Sequence, residues 1–193
     1  MAVPTRRVDP SQIVAGARTF FVTSSVWRKQ NLLQSDKAAE LFLRVLYDYR
    51  AQRKFRLHDF VVMPNHLHVL LTVGSEMSVE QAVQFIKGGF SFRAGKELGM
   101  KAPVWQKGFS EVRVVDADGF TRVRSYVHNN PAARRLVVEA QDHPYSSAYP
   151  GFELDAPPQW LEIYLERQTA KNEPESTDKG PTKASKRAAA EAD

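Results

Sequence analysis

The sequence predicts an α+β fold: a ferredoxin-like (split βαβ) antiparallel sheet with two helices on one face, followed by one extra C-terminal helix. Three observations point there. Strand and helix signals alternate in the order β-α-β-β-α-β and end in a further helix. The two middle strands are separated only by Pro64-Asn65, a link too short for anything but an antiparallel hairpin. The chain has 193 residues, of which 42% are hydrophobic, enough to bury a core.

Each element has its own signal. Thr19 to Thr23 is β-branched and aromatic and reads as a strand. Ser35 caps a helix in which Ala38, Leu41, Phe42, Val45, Leu46 and Tyr49 recur at three- and four-residue spacing. Phe55 to Met63 reads as the second strand and His66 to Val73 as the third. Ser78 opens another helix, with Val79, Ala82, Val83, Ile86 and Phe90 on one face. Its Gly88-Gly89 pair weakens the helix by about 1 kcal/mol per glycine, for a kink or a close approach. Val112 to Val115 is a short fourth strand, and Asp118 is expected to cap a last helix that stops before Pro131. The second face of such a sheet is covered by further chain or binds something.

Composition narrows the function classes. There is no cysteine, which excludes disulfides, thiolate metal sites and a cysteine nucleophile. No run approaches the roughly 18 apolar residues of a membrane span, and the first residues lack a secretory apolar region, so a cytoplasmic location is expected. The charge is uneven. Residues 1–150 hold 21 basic and 13 acidic side chains, whereas residues 151–193 hold 6 and 9. A basic body suits a polyanionic partner. From Arg167 onward there is no aromatic residue and no Ile, Leu or Val. The expected organisation is a loose arm at 1–15, a domain at 16–150, an extension at 151–166 and a disordered tail at 167–193.

Two groups of residues carry chemistry. In His66-Leu67-His68 the period of two puts both imidazoles on one face of the third strand, with Leu70, while Leu67, Val69 and Leu71 take the other. Two such rings can grip one divalent cation from one side, Mn²⁺ and Zn²⁺ more readily than Mg²⁺; they equally suit two half-buried strand histidines. In the last helix, at about 100° per residue, Phe120, Val123 and Val127 fall within about 60° and form the core stripe. Tyr126 and Asn130 form an i, i+4 pair on its border, a phenol beside an amide. His128 lies about 160° from Tyr126, on the other flank. A tyrosine at the core edge and a helix-terminal asparagine are the bland alternatives.

Together these residues resemble a known family. Met63-Pro64-Asn65-His66-Leu67-His68-Val69-Leu70-Leu71 is similar to the HUH motif of single-tyrosine transposases, in which U is a bulky apolar residue. Tyr126-Val127-His128-Asn129-Asn130-Pro131-Ala132 resembles their catalytic-helix motif, Tyr-x-x-x-Asn-Pro. Phe85 to Ser91, Val104 to Phe109 and His143 to Ser147 also match, the last being similar to the REP-associated branch. The resemblance runs from about Arg18 to Tyr149. Glu111 stands where Asp is commoner and Ala132 where Val is expected.

The resemblance implies an enzyme that cuts and rejoins single-stranded DNA without ATP. It implies Tyr126 as nucleophile, forming a 5′-phosphotyrosine link, and His66, His68 and Asn130 as ligands of a divalent metal, Mg²⁺ or Mn²⁺. It implies a nucleoid-associated monomer or homodimer whose partner is single-stranded or hairpin DNA of REP type. Trp27, Arg28, Lys29, Arg53, Lys54, Arg56, Lys107, Arg122 and Arg124 are candidate DNA contacts, with Trp27 or Phe109 able to stack on bases. Other HUH endonucleases, such as replication initiators, share the metal and tyrosine; relaxases place the nucleophile near the N-terminus. A non-catalytic, RRM-like nucleic-acid-binding module would share the strand order alone.

Overall fold

The computed structural model describes residues 16–158 and 160–161. The expected arm at 1–15 and tail at 167–193 lie outside them. The elements, in order, are β1 (Arg18–Ser25), a 3₁₀ turn (Trp27–Lys29), α1 (Asp36–Ala51), β2 (Arg56–Met63), β3 (His66–Val73), α2 (Val79–Leu98), β4 (Ser110–Val114), α3 (Ala117–Ala133) and a second 3₁₀ turn (Ala140–Asp142). The four strands form one antiparallel sheet in the order β2-β3-β1-β4. The expected α+β split-βαβ order is the one observed.

The sheet has two unlike faces, and β3 shows both. Leu67, Val69 and Leu71 join Phe20, Val22, Leu57, Phe60 and Val62 in a continuous apolar cluster against α1 and α2. Phe42 of α1, Phe90 of α2 and Trp105 form a triangle of edge-on rings there, with centroids 5.6–6.1 Å apart. The opposite face is smaller and is covered by α3. Phe120 packs with Leu70 and Val114 there, and Val127 packs with Val61 and Met63.

Local chemistry explains the element ends. Ser35 accepts from Ala38 N, and Ser78 with Gln81 makes a reciprocal capping box. Gly88 and Gly89 lie inside one uninterrupted helix, so the pair makes no break, and only Gly89 serves a close approach: a Cβ on Gly88 would meet nothing within 4 Å. A Cβ on Gly89 would meet the Tyr49 ring at 2.6 Å, so the glycine lets α1 and α2 come together. Two expectations about α3 need correction. Asp116, not Asp118, is the cap: its carboxylate accepts from Gly119 N at 2.6 Å, and Asp118 sits in the first turn beside the positive end of the helix. Nor does the helix stop before Pro131. It runs to Ala133 with Pro131 inside and buried. Proline forfeits one backbone bond to Val127, but it lies in the final turn, where burial of its ring offsets the loss.

The open edge of β2 is closed by the chain after α3. Val62 N donates to Tyr145 O at 2.9 Å, Ser147 N to Phe60 O at 2.9 Å and Asp155 N to Leu57 O at 2.8 Å. Asp155 also takes a bidentate pair of bonds from Arg50, each 3.0 Å. Phe152 and Leu154 pack against the main core. Among the described residues no helix is long and apolar enough to cross a membrane.

Candidate active site

The site forms where β3 begins, at the edge of α3. The hairpin turn Pro64-Asn65 fixes the first residue of β3, so His66 and His68 project from rigid backbone onto the α3 face. Their ring centroids are 4.8 Å apart at 80°. The Tyr126 ring meets His68 edge-on at 5.2 Å and Phe21 at 5.7 Å. Tyr126 is 49% exposed, whereas Asn130, one turn further on, is 4% exposed. The i, i+4 pair therefore straddles the helix border, with the phenol in the cleft and the amide beneath it. His128 takes the other flank and bonds to Asp59.

Each histidine is held by its inner nitrogen. His66 Nδ1 lies 2.7 Å from Asn65 Oδ1, an acceptor only, so Nδ1 carries the proton and Nε2 keeps its lone pair. His68 Nδ1 lies 2.8 Å from Thr23 Oγ1, its cross-strand partner in the β1–β3 register. His68 Nε2 and Asn130 Oδ1 are both buried without a hydrogen-bond partner. Burial pushes the His66 imidazole down to about 4, helped by the charges of Lys29 and Arg134 and opposed by the nearby Asn130 side chain. Burial pushes His68 further, to about 3, with His66, Arg134 and Lys29 adding to it. Both rings are neutral near pH 7. Orphaned polar atoms in a dry place need a reason, and two neutral imidazoles with one amide oxygen are a donor set that fits a divalent cation. Among the described residues no group of three or more His, Cys, Asp or Glu side chains could hold a metal ion.

These residues open onto a cleft of about 640 Å³. His66, His68 and Tyr126 line it together with Thr23, Lys29, Asn31 and Arg134. Of the expected DNA contacts, Lys29 lines the cleft, and Trp27 and Arg28 belong to the turn that carries it. The Arg28 guanidinium lies 5.6 Å from the Trp27 ring, and both Arg28 and Lys29 adopt left-handed backbone, with φ of 51° and 58°. Lys107 and Arg122 are exposed on the surface. Arg124 faces Asp59, 3.4 Å away, on the flank of α3 that does not face the cleft. Phe109 packs against the main core, which leaves little of it for stacking. Arg53, Lys54 and Arg56 border a separate cavity with Arg50 at the far end of the hairpin. Six strand steps separate that end from His66, roughly 20 Å.

Sequence reasoning missed Thr23, Asn31 and Arg134. Alternation puts Thr23 on the same face of the sheet as His68, but only the observed β1–β3 register sets the two opposite each other. Asn31 and Arg134 carry no local signal; only the fold brings their segments to the cleft.

Residues 19–130 match the model of a family described as IS200-like transposases. Among solved structures, the chain is similar to a REP-associated tyrosine transposase bound to a REP hairpin, at 20% identity and a TM-score of 0.61. That match covers 78% of this chain and 92% of the other, and it shows a shared fold. A second similar structure, a candidate transposase from Deinococcus radiodurans R1, is 18% identical with a TM-score of 0.47, covering 63% of this chain and 97% of that one. No curated protein sequence matches the chain.

Proposed function

We propose, from the premise that the chain belongs to the IS200-like transposase family, that it cuts and rejoins single-stranded DNA with Tyr126 as nucleophile. The observation that carries this reading is an exposed phenol in one cleft with two imidazoles, where Nε2 of His66 carries no proton and Nε2 of His68 and the buried Oδ1 of Asn130 have no hydrogen-bond partner. A purely structural pair of histidines would be expected to spend both ring nitrogens on hydrogen bonds.

His66, His68 and Asn130 would hold a divalent cation, Mg²⁺ or Mn²⁺. When bound, such an ion draws charge off a phosphate oxygen and orients that phosphate. The chain's residues supply the rest. Asn65 holds His66 by Nδ1 and so keeps its outer nitrogen deprotonated; Thr23 anchors His68 by Nδ1, and with the Thr23 hydroxyl as acceptor the outer nitrogen of His68 is the one with the free lone pair. Lys29 and Arg134 put two cations on the cleft wall, where a polyanionic strand is drawn in. Tyr126 forms a bond from its phenol oxygen to phosphorus and gives up its proton. The bond from phosphorus to the 3′-oxygen breaks, and that oxygen leaves as a 3′-OH. The strand downstream of the cut stays on the enzyme as a 5′-phosphotyrosine, and attack by a 3′-OH reverses the step without ATP. The fold shared with a transposase bound to a REP hairpin supports hairpin DNA of REP type as the substrate class.

The test is a denaturing gel of a 3′-end-labelled hairpin oligonucleotide with single-stranded flanks, incubated with protein and Mn²⁺. A labelled band retarded by the protein's mass is expected. Cleavage without any protein-linked strand would remove tyrosine from the mechanism, and no cleavage of any such oligonucleotide would favour a binding module.

A further inference from the structure

The α3 face of the sheet buries a carboxylate that the proposed chemistry does not use. The Asp59 side chain is 1% exposed. Its Oδ1 lies 2.6 Å from His128 Nε2 and accepts from Ser147 Oγ at 3.0 Å. Its Oδ2 has Arg124 Nε at 3.4 Å, a pair without a well-formed hydrogen bond. Two of these three partners belong to α3, and the third to the segment that closes the β2 edge. A buried carboxylate is costly unless paired, so its presence needs an explanation.

The backbone is bent to put Asp59 there. In β2, Leu57 faces α1 and α2, as do Phe60 and Val62, whereas Val61 and Met63 face α3. Simple alternation from Leu57 would point Asp59 into the apolar core. Instead the register slips between Leu57 and Asp59: Leu57 pairs with Leu71 and Asp59 with the next residue, Leu70, so His58 is an extra residue. This bulge turns Asp59 to the α3 face, where bulges beside active sites commonly re-aim a side chain.

We infer that Asp59 is a positioning residue that fixes the rotation of α3 about its axis, and so the place of Tyr126 over the histidines. Tyr126 and His128 leave the helix on opposite flanks. Tyr126 leans on Phe21 of β1 and His68 of β3, while His128 and Arg124 reach Asp59 on β2. Any roll of α3 that lifts the phenol from His68 must also move His128 relative to Asp59. The apolar contacts of Phe120 and Val127 resist a roll only softly, because hydrophobic contact has little direction; a 2.6 Å bond to a buried acceptor is directional. Asn130 shares the turn with His128, so the same contact sets its oxygen beside His66. The inference rests on the proposed role of Tyr126, and its test is arranged so that the two can fail separately.

The readout is the fluorine spectrum of protein labelled with 3-fluorotyrosine, with the Tyr126 signal identified by its loss in Tyr126→Phe. Asp59→Ala is expected to shift or broaden that signal without DNA present, and Asp59→Asn, which keeps an acceptor for His128 and Ser147, to restore it. On the hairpin oligonucleotide with Mn²⁺, Asp59→Ala should slow single-turnover adduct formation about 100-fold while the DNA dissociation constant is unchanged. The double variant Asp59→Ala/His128→Ala should be no slower than Asp59→Ala. If Asp59→Ala does not fold, His128→Ala, which empties a more exposed position, carries the same expectation. The inference is overturned if the Tyr126 signal and the rate per folded molecule stay at the wild-type values while only the melting temperature drops. Should the wild-type protein form no adduct, the transposase reading fails, and the spectrum alone decides the role of Asp59.

Discussion

The two faces of β3 divide the work of the molecule. Toward α1 and α2 the strand presents Leu67, Val69 and Leu71, all buried in one apolar cluster with no polar atom among them. Toward α3 it presents His66, His68, Leu70 and Thr72, three of them polar. Thr72 is satisfied by Thr19 and His58 at 2.7 and 2.8 Å. The two histidines keep one nitrogen each unspent. One face thus holds the strand still by burial, and the other uses that stillness to hold side chains that are individually unfavourable to bury. Substitutions on the two faces should therefore fail differently.

The largest expected effect is on the chemical face. Tyr126→Phe should abolish the covalent protein–DNA adduct on the 3′-end-labelled hairpin oligonucleotide, while leaving oligonucleotide binding nearly unchanged. Only the hydroxyl is lost, and the ring keeps its edge contacts with Phe21 and His68. Persistence of the adduct would move the nucleophile elsewhere. Tyr145 is a poor substitute, since burial and its bond to Asp36 push its phenol up to about 12; Tyr149, 42% exposed, would be examined first.

Next in size, His66→Ala and His68→Ala should each abolish cleavage and weaken Mn²⁺ binding by roughly 10- to 100-fold in calorimetric titration, with Asn130→Ala milder because water can replace an amide oxygen. The stability of His68→Ala should fall by less than for a buried apolar truncation, since removal of an unpartnered polar atom offsets part of the lost ring contacts and of the lost bond to Thr23. Unchanged Mn²⁺ affinity in His68→Ala would sink the proposed ligand set.

Leu67→Ala reverses the pattern one residue away. It should cost about 2–5 kcal/mol of unfolding free energy, because the side chain is fully buried among α1 and α2 contacts. The rate of adduct formation per folded molecule should stay near wild type, because Leu67 points away from the cleft. A denaturant titration paired with single-turnover kinetics checks both halves. A rate that fell with stability would mean that the two faces are not mechanically separate.

This division was legible in the sequence to the extent that it depends on spacing. Period two placed His66 and His68 together and Leu67 opposite them, and helical spacing placed Tyr126 beside Asn130 and away from His128. What spacing could not show was where a period breaks. The extra residue at His58 reverses the parity of β2, so Asp59 reads as a core-facing residue until the pairing with β3 is known. The end of α3 departs from expectation for a related reason: Pro131 usually stops a helix, but here it falls where few backbone bonds remain to be lost. Arg134 and Asn31 reach the cleft only through tertiary folding, and no local pattern announces that.

The smallest expected effect separates the two ends of the β2–β3 hairpin. Lys29 lines the cleft with the histidines, whereas Arg56 lies at the far end, roughly 20 Å along the strands. Both are exposed cations and both are reasonable DNA contacts from sequence. Lys29 donates to Ser25 Oγ at 2.7 Å, which leaves its charge at the rim of the cleft. If the strand enters only at the histidine end, Lys29→Ala should reduce the slope of log affinity against log salt by about 0.7, one phosphate contact on a single strand. Arg56→Ala should then leave the slope unchanged. The measurement is oligonucleotide affinity across a salt series for the wild type and both variants, with a short single strand and with the full hairpin. A slope that falls for Arg56→Ala on the hairpin but not on the short strand would place the duplex stem at the far end. A fall on both would mean that the single strand runs the length of the hairpin, and the cleft would no longer mark where DNA binding is concentrated.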